Sequence, residues 1–299
     1  MPKHFIDLID FKKKELREIL LFAKKIKKNP TKYSLLLKSK SLGMLFEKQS
    51  ARTRLSFNIG MKRLGGHVIE LDSKAIGFGS RESEKDILKV MSQYLDFIMI
   101  RNDDHATLSK FASLNILPII NGLSNYSHPC QILSDIFTIE ESIGSIENKI
   151  ISWVGDFNNV LVSLLHAAEI FKFRLKIAIP KSILKSNKKT IKKMNLQNSI
   201  FYSDTKEAVE DSSCVMTDVW ISMGEKNSNY KKKILYKYQI NDQIMKYAKK
   251  NAIFMHCLPA HRNEEATDSI IDGKQSVVWQ QAQNRMYVQQ SILYFLLKS

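Results

Sequence analysis

Hydroxyl and guanidinium side chains alternate in one short run of the chain, Ser50-Ala51-Arg52-Thr53-Arg54. Hydroxyl groups, the free N–H groups of a starting helix and guanidinium groups all bind anions, and a phosphate suits both the helix dipole and bidentate arginine geometry. The Gly-rich stretch and the Gly-Lys-Ser/Thr of a Walker loop are missing. The run therefore indicates a phosphate site of another kind. An ordinary serine N-cap followed by surface arginines is the alternative interpretation.

A second run, His128-Pro129-Cys130-Gln131, places an imidazole and a carboxamide three residues apart at the start of a predicted helix. Both groups can donate and accept hydrogen bonds, so together they could hold a carbonyl and an amide of one small ligand. The alternative is a histidine that lies in a loop and binds nothing.

Two further runs in the second half of the chain carry a carboxylate and a thiol. Asp218 opens the run Asp218-Val219-Trp220-Ile221-Ser222-Met223-Gly224, and its carboxylate suits an ammonium group; a solvated or capping aspartate is the alternative. His256-Cys257-Leu258-Pro259 follows a predicted strand. A thiol and carbonyl groups that face a ligand, or a buried structural cysteine, are both compatible with that run.

The elements that must position these side chains alternate between short apolar runs and amphipathic segments. Strands are predicted at 42–46, 67–71, 97–100, 116–120, 150–154, 175–179, 199–202, 214–217 and 252–255. Helices are predicted at 11–28 with Asp10 as N-cap, at 53–64, 82–94, near Leu108, at 129–143, after Asp156 and at 281–297. The segment 222–240 lacks clear periodicity and is predicted to be a loop. Such alternation is typical of βαβ units around parallel sheets.

Polar residues follow six of the predicted strands, three in each half of the chain. Directly after these strands come Ser50 to Arg54, Arg101, His128, Asp156 to Asn159, Asp218 and His256-Cys257. In open α/β sheets, ligands bind beyond the carboxyl ends of the strands. The sequence therefore predicts an α/β protein of two doubly wound parallel-sheet domains, with the active site in the cleft between them. We expect domains at 1–143 and 144–280, and a C-terminal helix at 281–299 that packs back on the first domain.

The net charge alone excludes few classes of protein function. The chain of 299 residues has 46 Lys and Arg against 30 Asp and Glu, a net charge of +16. The lysines are spread along the chain and favour solvated helix faces, with attraction of small anions as an addition. A nucleic-acid-binding protein would need basic and aromatic residues clustered on one face, which the sequence lacks. A nicotinamide dehydrogenase would need a strand followed by G-x-G-x-x-G, which is also missing.

Cysteine usage and hydropathy indicate the compartment. The three cysteines Cys130, Cys214 and Cys257 form no C-x-x-C pair, so a disulfide framework or a cysteine zinc site is not expected. No apolar run is long enough to span a bilayer, and Asp7 and Asp10 interrupt the start of the chain where a signal peptide would be apolar. We expect a soluble cytoplasmic protein that binds neither membrane nor nucleic acid.

Taken together, these runs resemble the aspartate/ornithine carbamoyltransferase family along the whole chain. The family's phosphate motif, Ser-Thr-Arg-Thr-Arg followed by Ser-Phe, corresponds to Ser50 to Arg54 and Ser56-Phe57, and its His-Pro-x-Gln corresponds to His128 to Gln131. Three runs are similar to the ornithine branch: Gly155-Asp156 with Asn158-Asn159, Ser222-Met223-Gly224 after Asp218, and His256 to Pro259. Ala260-His261-Arg262 and Asn284-Arg285 also match.

The resemblance implies an activity and a role for each matching residue. The domain at 1–143 would bind carbamoyl phosphate and the domain at 144–280 L-ornithine, and the carbamoyl group would pass to the side-chain amine of ornithine without a metal or cofactor. Ligands of carbamoyl phosphate would be Ser50, Ala51, Arg52, Thr53, Arg101, His128, Gln131, Cys257, Leu258 and Arg285. Ornithine would contact Asn159, Asp218, Ser222 and Met223, and catalysis would use Arg101, His128, Asp218 and Cys257.

The chain departs from the family pattern at two places. Ala51 replaces the common threonine, where the backbone N–H still serves. The resemblance implies a homotrimer with active sites near subunit interfaces, in which a loop from a neighbouring subunit offers Gln or Lys to the phosphate. Here that loop has Gly77 at the corresponding place, with Arg81 as a substitute, so the residue that crosses the interface stays open. Transfer to putrescine or to an acylated ornithine is the alternative within the enzyme class, and a biosynthetic or a catabolic role is equally compatible with the sequence.

Overall fold

The computed structural model describes residues 1–47, 50–72, 76, 82–221 and 228–298. Contacts within the chain divide it into two units, Met1–Ser134 with Asn284–Ser299, and Asp135–Gln283. Among the described residues, no helix combines the length and the apolar character that crossing a bilayer requires.

The first unit is built on four parallel strands. They are β1 (Ser41–Phe46), β2 (His67–Leu71), β3 (Phe97–Arg101) and β4 (Ile119–Leu123), in the spatial order β2-β1-β3-β4. The helices that begin in it are α1 (Lys13–Lys28), α2 (Ala51–Arg63), α3 (Glu84–Met91), α4 (His105–Ser113) and α5 (Pro129–Ile143). Helix α1 buries residues three and four apart, as an amphipathic helix must: Leu16, Ile19, Leu20, Ala23 and Ile26.

The second unit is built on five parallel strands. They are β5 (Ile150–Val154), β6 (Arg174–Ala178), β7 (Ser199–Tyr202), β8 (Cys214–Thr217) and β9 (Ile253–His256), in the order β7-β6-β5-β8-β9. Its helices are α6 (Asn159–Phe171), α7 (Lys181–Lys193), α8 (Thr205–Val209), α9 (Ser228–Leu235), α10 (Asp242–Met245), α11 (Asp268–Ile271) and the start of α12 (Val278–Lys298). Apolar side chains of β5, β8 and β9 share one core cluster with Trp220 and Leu235.

Each sheet reverses its strand order at one place. In the first sheet, the chain leaves β1 for β2 on one side and reaches β3 on the other; in the second, β5 separates β6 from β8 in the same way. Ligands of open α/β sheets bind at such switch points, beyond the carboxyl ends of the strands. The fold class predicted from the sequence, α/β with two parallel sheets, is confirmed.

Three local predictions were wrong. Strand β4 begins and ends three residues later than predicted, because Asn121-Gly122 continues the strand: the buried Asn121 Nδ2 donates to the carbonyl of Ile6 at 3.0 Å and to Ser127 Oγ at 3.1 Å. Asp10 does not cap α1. It accepts from the N–H of Asp7 at 2.9 Å, and Glu15 accepts from the N–H of Lys12 at the helix start. The described part of 222–240 is not a loop, since α9 and a 3-10 turn, Tyr236–Tyr238, occupy it.

Gly155 ends β5 with a φ of +138°, outside the left-handed well in which L-residues are tolerated. A Cβ there would also lie 3.3 Å from Thr217 Oγ1. We expect Gly155→Ala to reduce the free energy of unfolding by about 1–3 kcal/mol. Gly144→Ala is the control, because Gly144 has φ +77° and a Cβ added there would meet no atom within 4 Å; it should cost about 1 kcal/mol. Chemical denaturation measures both, and an equal or larger loss at Gly144 would contradict the expectation.

Candidate active site

The run Ser50 to Arg54 forms the start of helix α2, beside the end of β1. Ser50 is the N-cap, with extended backbone, and its Oγ accepts from the N–H of Thr53 at 3.3 Å. The N-cap interpretation is therefore correct, but it does not exclude anion binding. The serine hydroxyl keeps its own proton for a ligand, and the N–H groups of the first turn have no partner within a helix. Ala51 and Arg52 are exposed in that turn.

Arg54, the second arginine of the run, lies elsewhere. Its guanidinium pairs with Glu70 on β2 and lies over the Phe46 ring, 4.5 Å from the ring centroid. Both guanidinium groups of the run were predicted to bind one anion; the carboxylate of the neighbouring strand competes with that anion for Arg54. Arg52, exposed in the first turn of α2, stays the predicted phosphate ligand of the run.

Two further guanidinium groups converge on the buried hydroxyl of Thr53. Arg101 at the end of β3 donates through Nη1 to Thr53 Oγ1 at 3.4 Å, and Arg285 of α12 donates through Nη2 to the same oxygen at 3.0 Å. Burial, together with the positive charges of Arg285 and Arg52 and against the opposing effect of Asp103, lowers the pKa of Arg101 to about 10. Since like charges crowd here, a bound anion would relieve their repulsion.

His128 and Gln131 occupy the start of α5, and both are buried. Burial, together with the charges of Arg285 and Arg101, lowers the pKa of His128 well below its ordinary value. The imidazole is therefore neutral at pH 7 and can donate one hydrogen bond without adding charge. Cys130 between them is not a nucleophile: its Sγ donates to the carbonyl of Asn121 at 3.4 Å, and burial raises the pKa of its thiol to about 12.

The carboxylate of Asp218 lies directly after β8 and is only 8% exposed. Its Oδ2 accepts from Asn158 Nδ2 at 2.9 Å. Burial raises the pKa of Asp218, and Glu265 adds to the rise, while His256, the N–H of Val219 and the Asn158 amide oppose it. A buried carboxylate is suited to receive a cationic group.

Asn159, predicted to bind a ligand, is the first residue of α6 and is half-buried. The residue before it, Asn158, is the N-cap of that helix. The sequence pattern includes Asn158 but gives it no role, although an asparagine directly before a buried helix is a recognisable cap signal.

The turn after β9 is held by the histidine that precedes it. His256 Nδ1 accepts from the N–H of Leu258 at 2.8 Å, so its proton lies on Nε2, which faces Glu265 Oε1 at 3.0 Å. Leu258 has a φ of +56°, which a residue with a side chain adopts at a cost. The two hydrogen bonds of His256 thus fix the backbone that carries the half-buried Cys257 thiol and the carbonyl groups of Cys257 and Leu258. Glu265 was missed by the sequence analysis.

A second missed contact joins Asp156, directly after β5, to Lys231 of α9. The two charged atoms lie 2.6 Å apart, and the side chains are 6% and 17% exposed. The predicted ligands Ser222 and Met223, and the predicted interface residues Gly77 and Arg81, lie outside the described residues.

One group of side chains has the composition of a metal site. Donor atoms of His261, Glu264 and Glu265 lie within 4.8 Å of one another. Lys232 forms an ion pair with Glu264 at 2.6 Å, and the ring of His256 contacts Glu265. Each of the two carboxylates therefore already has a partner within the protein. The group therefore provides structural contacts near the His256 turn.

Comparison with protein families gives two matches that cover most of the chain. Residues 3–141 match the carbamoyl-phosphate-binding domain of the aspartate/ornithine carbamoyltransferases, and residues 147–296 match their aspartate/ornithine-binding domain. An ornithine carbamoyltransferase of Rhodopseudomonas palustris is 44% identical over 301 residues, which is 98% of this chain and 96% of that protein.

Solved structures give the same result. The ornithine carbamoyltransferase of Burkholderia thailandensis superposes with a TM-score of 0.89 at 37% identity, covering 99% of this chain and 98% of that one. The enzyme of Pyrococcus furiosus gives a TM-score of 0.89 at 37% identity, covering 100% and 98%.

The two arginines of α2 allow a matched test of the anion site. We expect Arg52→Ala to weaken binding of inorganic phosphate about 10- to 100-fold, since a charge-assisted contact contributes about 1.5–3 kcal/mol. Arg54→Ala removes the same charge two residues away and should change the affinity about twofold at most, because Glu70 already engages Arg54. Calorimetric titration at constant ionic strength measures both. Equal losses in the two variants would indicate a general effect of charge and would contradict the assignment.

Proposed function

Because the chain belongs to the aspartate/ornithine carbamoyltransferase family, we propose that it transfers the carbamoyl group of carbamoyl phosphate to the side-chain amine of L-ornithine, giving L-citrulline and phosphate. The ornithine-specific form of the activity is favoured over the aspartate-specific form by one observation above all, the buried carboxylate of Asp218.

Asp218 distinguishes between the two amino-acid substrates by charge. The side chain of ornithine ends in an ammonium group, whereas that of aspartate ends in a carboxylate. A buried carboxylate attracts the first and repels the second. We infer that Asn159, Asp218, Ser222 and Met223 bind ornithine, with Asp218 nearest to the side-chain nitrogen.

Carbamoyl phosphate would be bound by the groups around α2. The hydroxyl of Ser50, the N–H groups of Ala51 and the next residues, and the Arg52 guanidinium would hold the phosphate. Arg101, His128 and the Thr53 hydroxyl would donate to the carbamoyl oxygen, and Arg285 would reach the same ligand. Gln131 and the carbonyl groups of Cys257 and Leu258 would accept from the carbamoyl NH2.

The reaction then needs no covalent intermediate on the protein. The neutral amine attacks the carbamoyl carbon, a C–N bond forms, the C–O bond to phosphate breaks, and the proton that the amine loses passes to the departing phosphate. Negative charge that develops on the carbamoyl oxygen is stabilised by the Arg101 guanidinium and the neutral His128 N–H, which are in place before the reaction. Cys257 would orient the amine through its thiol, without acylation.

We also propose that the enzyme is a cytoplasmic homotrimer that acts in arginine metabolism. An apolar surface of the first unit supports self-association: Leu55 and Ile59 lie one turn apart on α2, 62% and 39% exposed, and Ile69 on the edge strand β2 is 46% exposed. Exposed large apolar side chains of this kind favour a protein interface, and a second copy of the chain is the partner that the resemblance implies.

The activity is tested by supplying carbamoyl phosphate with ornithine, aspartate or putrescine in parallel and measuring the ureido product. We expect citrulline from ornithine, with a kcat/KM at least about 100-fold above those of the other two amines. Asp218 repels the side-chain carboxylate of aspartate, and putrescine lacks the α-carboxylate that the other ornithine-binding groups would engage. Product from aspartate at a comparable rate would contradict the proposal, and so would the absence of product from ornithine.

The pH dependence of the reaction follows from two ionisable groups, the ornithine amine and the Asp218 carboxylate. The ornithine amine has a lysine-like pKa of about 10.4, so its reactive neutral form increases with pH, and kcat should rise between about pH 6 and 9. On the acid side, the raised pKa of Asp218 means that ornithine binding is lost as pH falls through that value. Asp218→Asn should raise the ornithine KM about 10- to 100-fold and leave carbamoyl phosphate affinity unchanged. Steady-state kinetics over this range would contradict the account if the profile were flat.

A further inference from the structure

The Asn158 side chain makes contacts in two directions. Its Oδ1 accepts from the N–H groups of Val160 and Leu161, both at 3.0 Å, and so caps α6. Its Nδ2 donates to Asp218 Oδ2 at 2.9 Å. The orientation of the amide is determined by these neighbours, because a flipped amide would place its NH2 against two N–H donors and its oxygen against a carboxylate.

Only an amide can make both sets of contacts at this position. A serine hydroxyl or an aspartate carboxylate can cap a helix. A carboxylate, however, has no proton to donate to Asp218, and a hydroxyl is one atom shorter than the amide and cannot reach both partners. The residue type is thus more restricted than capping requires, and the additional restriction comes from the contact with Asp218.

The other groups around Asp218 do not replace this donor. His256 and Glu265 lie at the end of β9 and in the turn that follows, and their electrostatic effects on Asp218 have opposite signs. The N–H of Val219 is a backbone donor beside the carboxylate on the same chain segment. Asn158 is the side-chain amide that holds Asp218 from the neighbouring strand end, after β5.

We propose that Asn158 is a positioning residue for carbamoyl transfer, which links the start of α6 to the Asp218 carboxylate and holds that carboxylate ionised and correctly oriented toward the ornithine amine. This inference rests on the proposed function. It goes further by assigning to Asn158 a role separate from its helix cap, and separate from the substrate contact implied for its neighbour Asn159.

The test uses variants that keep the cap and remove the donor. Asn158→Ser retains a capping oxygen but not the bond to Asp218, so the acid limb of kcat/KM for ornithine should move up by about one pH unit. Asn158→Asp also retains the cap and adds a second carboxylate, so the limb should move further, by about two units. The melting temperature of Asn158→Ser should stay within about 3 °C of the parent, since the cap remains. Asn158→Asp should melt lower at neutral pH, because its two neighbouring carboxylates repel each other. Carbamoyl phosphate affinity should not change.

Asn241 provides the matched control. Its Oδ1 caps α10 by accepting from the N–H groups of Gln243 and Ile244, both at 3.1 Å, and it lies outside the set of groups that act on Asp218. Asn241→Ser and Asn241→Asp repeat the same chemical changes at a cap and should leave the pH profile unchanged.

The outcomes separate the inference from the function on which it rests. If the unaltered chain forms no citrulline, the proposed function fails. If it is active and Asn158→Ser or Asn158→Asp keeps the parental acid limb, the positioning role is wrong and Asn158 is a helix cap alone. In the Asp218→Asn background, Asn158→Ser should cause no further shift. A shift there would also contradict the proposal, because no carboxylate would remain to be held.

Discussion

Parallel pairing of the strands is the constraint on which both groups of functional residues depend. Phe46 at the end of β1 pairs with Arg101 at the end of β3, so the N-terminus of α2 and the Arg101 guanidinium meet at one edge of the sheet. Thr217 pairs with His256 in the same manner, which brings Asp218 beside the turn that contains Cys257. A slip of one residue in either register would turn these side chains to the opposite face and separate the groups.

Both groups of functional residues contain buried polar side chains, and such side chains need partners within the fold. Arg285, His128, Asp218 and Glu265 are all buried, and burial of such groups costs free energy unless hydrogen bonds or charges compensate. Thr53 compensates two guanidinium groups in the first unit, and Asn158 and His256 engage two carboxylates in the second. Functional sites commonly depart from the rule that buried polar groups are paired within the protein, because a bound ligand supplies the missing partners.

The sequence predicted the elements well wherever periodicity alone determines them. Strand β5 and helix α5 have the predicted bounds, because an apolar run and an amphipathic one are unambiguous there. The bounds of β4 were predicted wrongly because Asn121-Gly122 is a turn signal. The sequence cannot show that Ile6 and Ser127 accept hydrogen bonds from the asparagine side chain. Arg54, Glu265 and Lys231 show the same limit for the site. Their partners Glu70, His256 and Asp156 lie 16, 9 and 75 residues away along the chain, so only the folded chain reveals which charges are already engaged.

The ion pair of Lys231 with Asp156 bears on the chemical selectivity of the enzyme itself. Carbamoyl phosphate is an acylating agent, and a lysine amine differs from the ornithine side chain by a single methylene group. An enzyme that joins the two substrates must therefore leave its own amines unmodified. Lys231 lies on the helix that follows the segment with Ser222 and Met223, and its nitrogen is held 2.6 Å from a nearly buried carboxylate. The ion pair favours the ammonium form of Lys231, which has no lone pair with which to attack an acylating substrate.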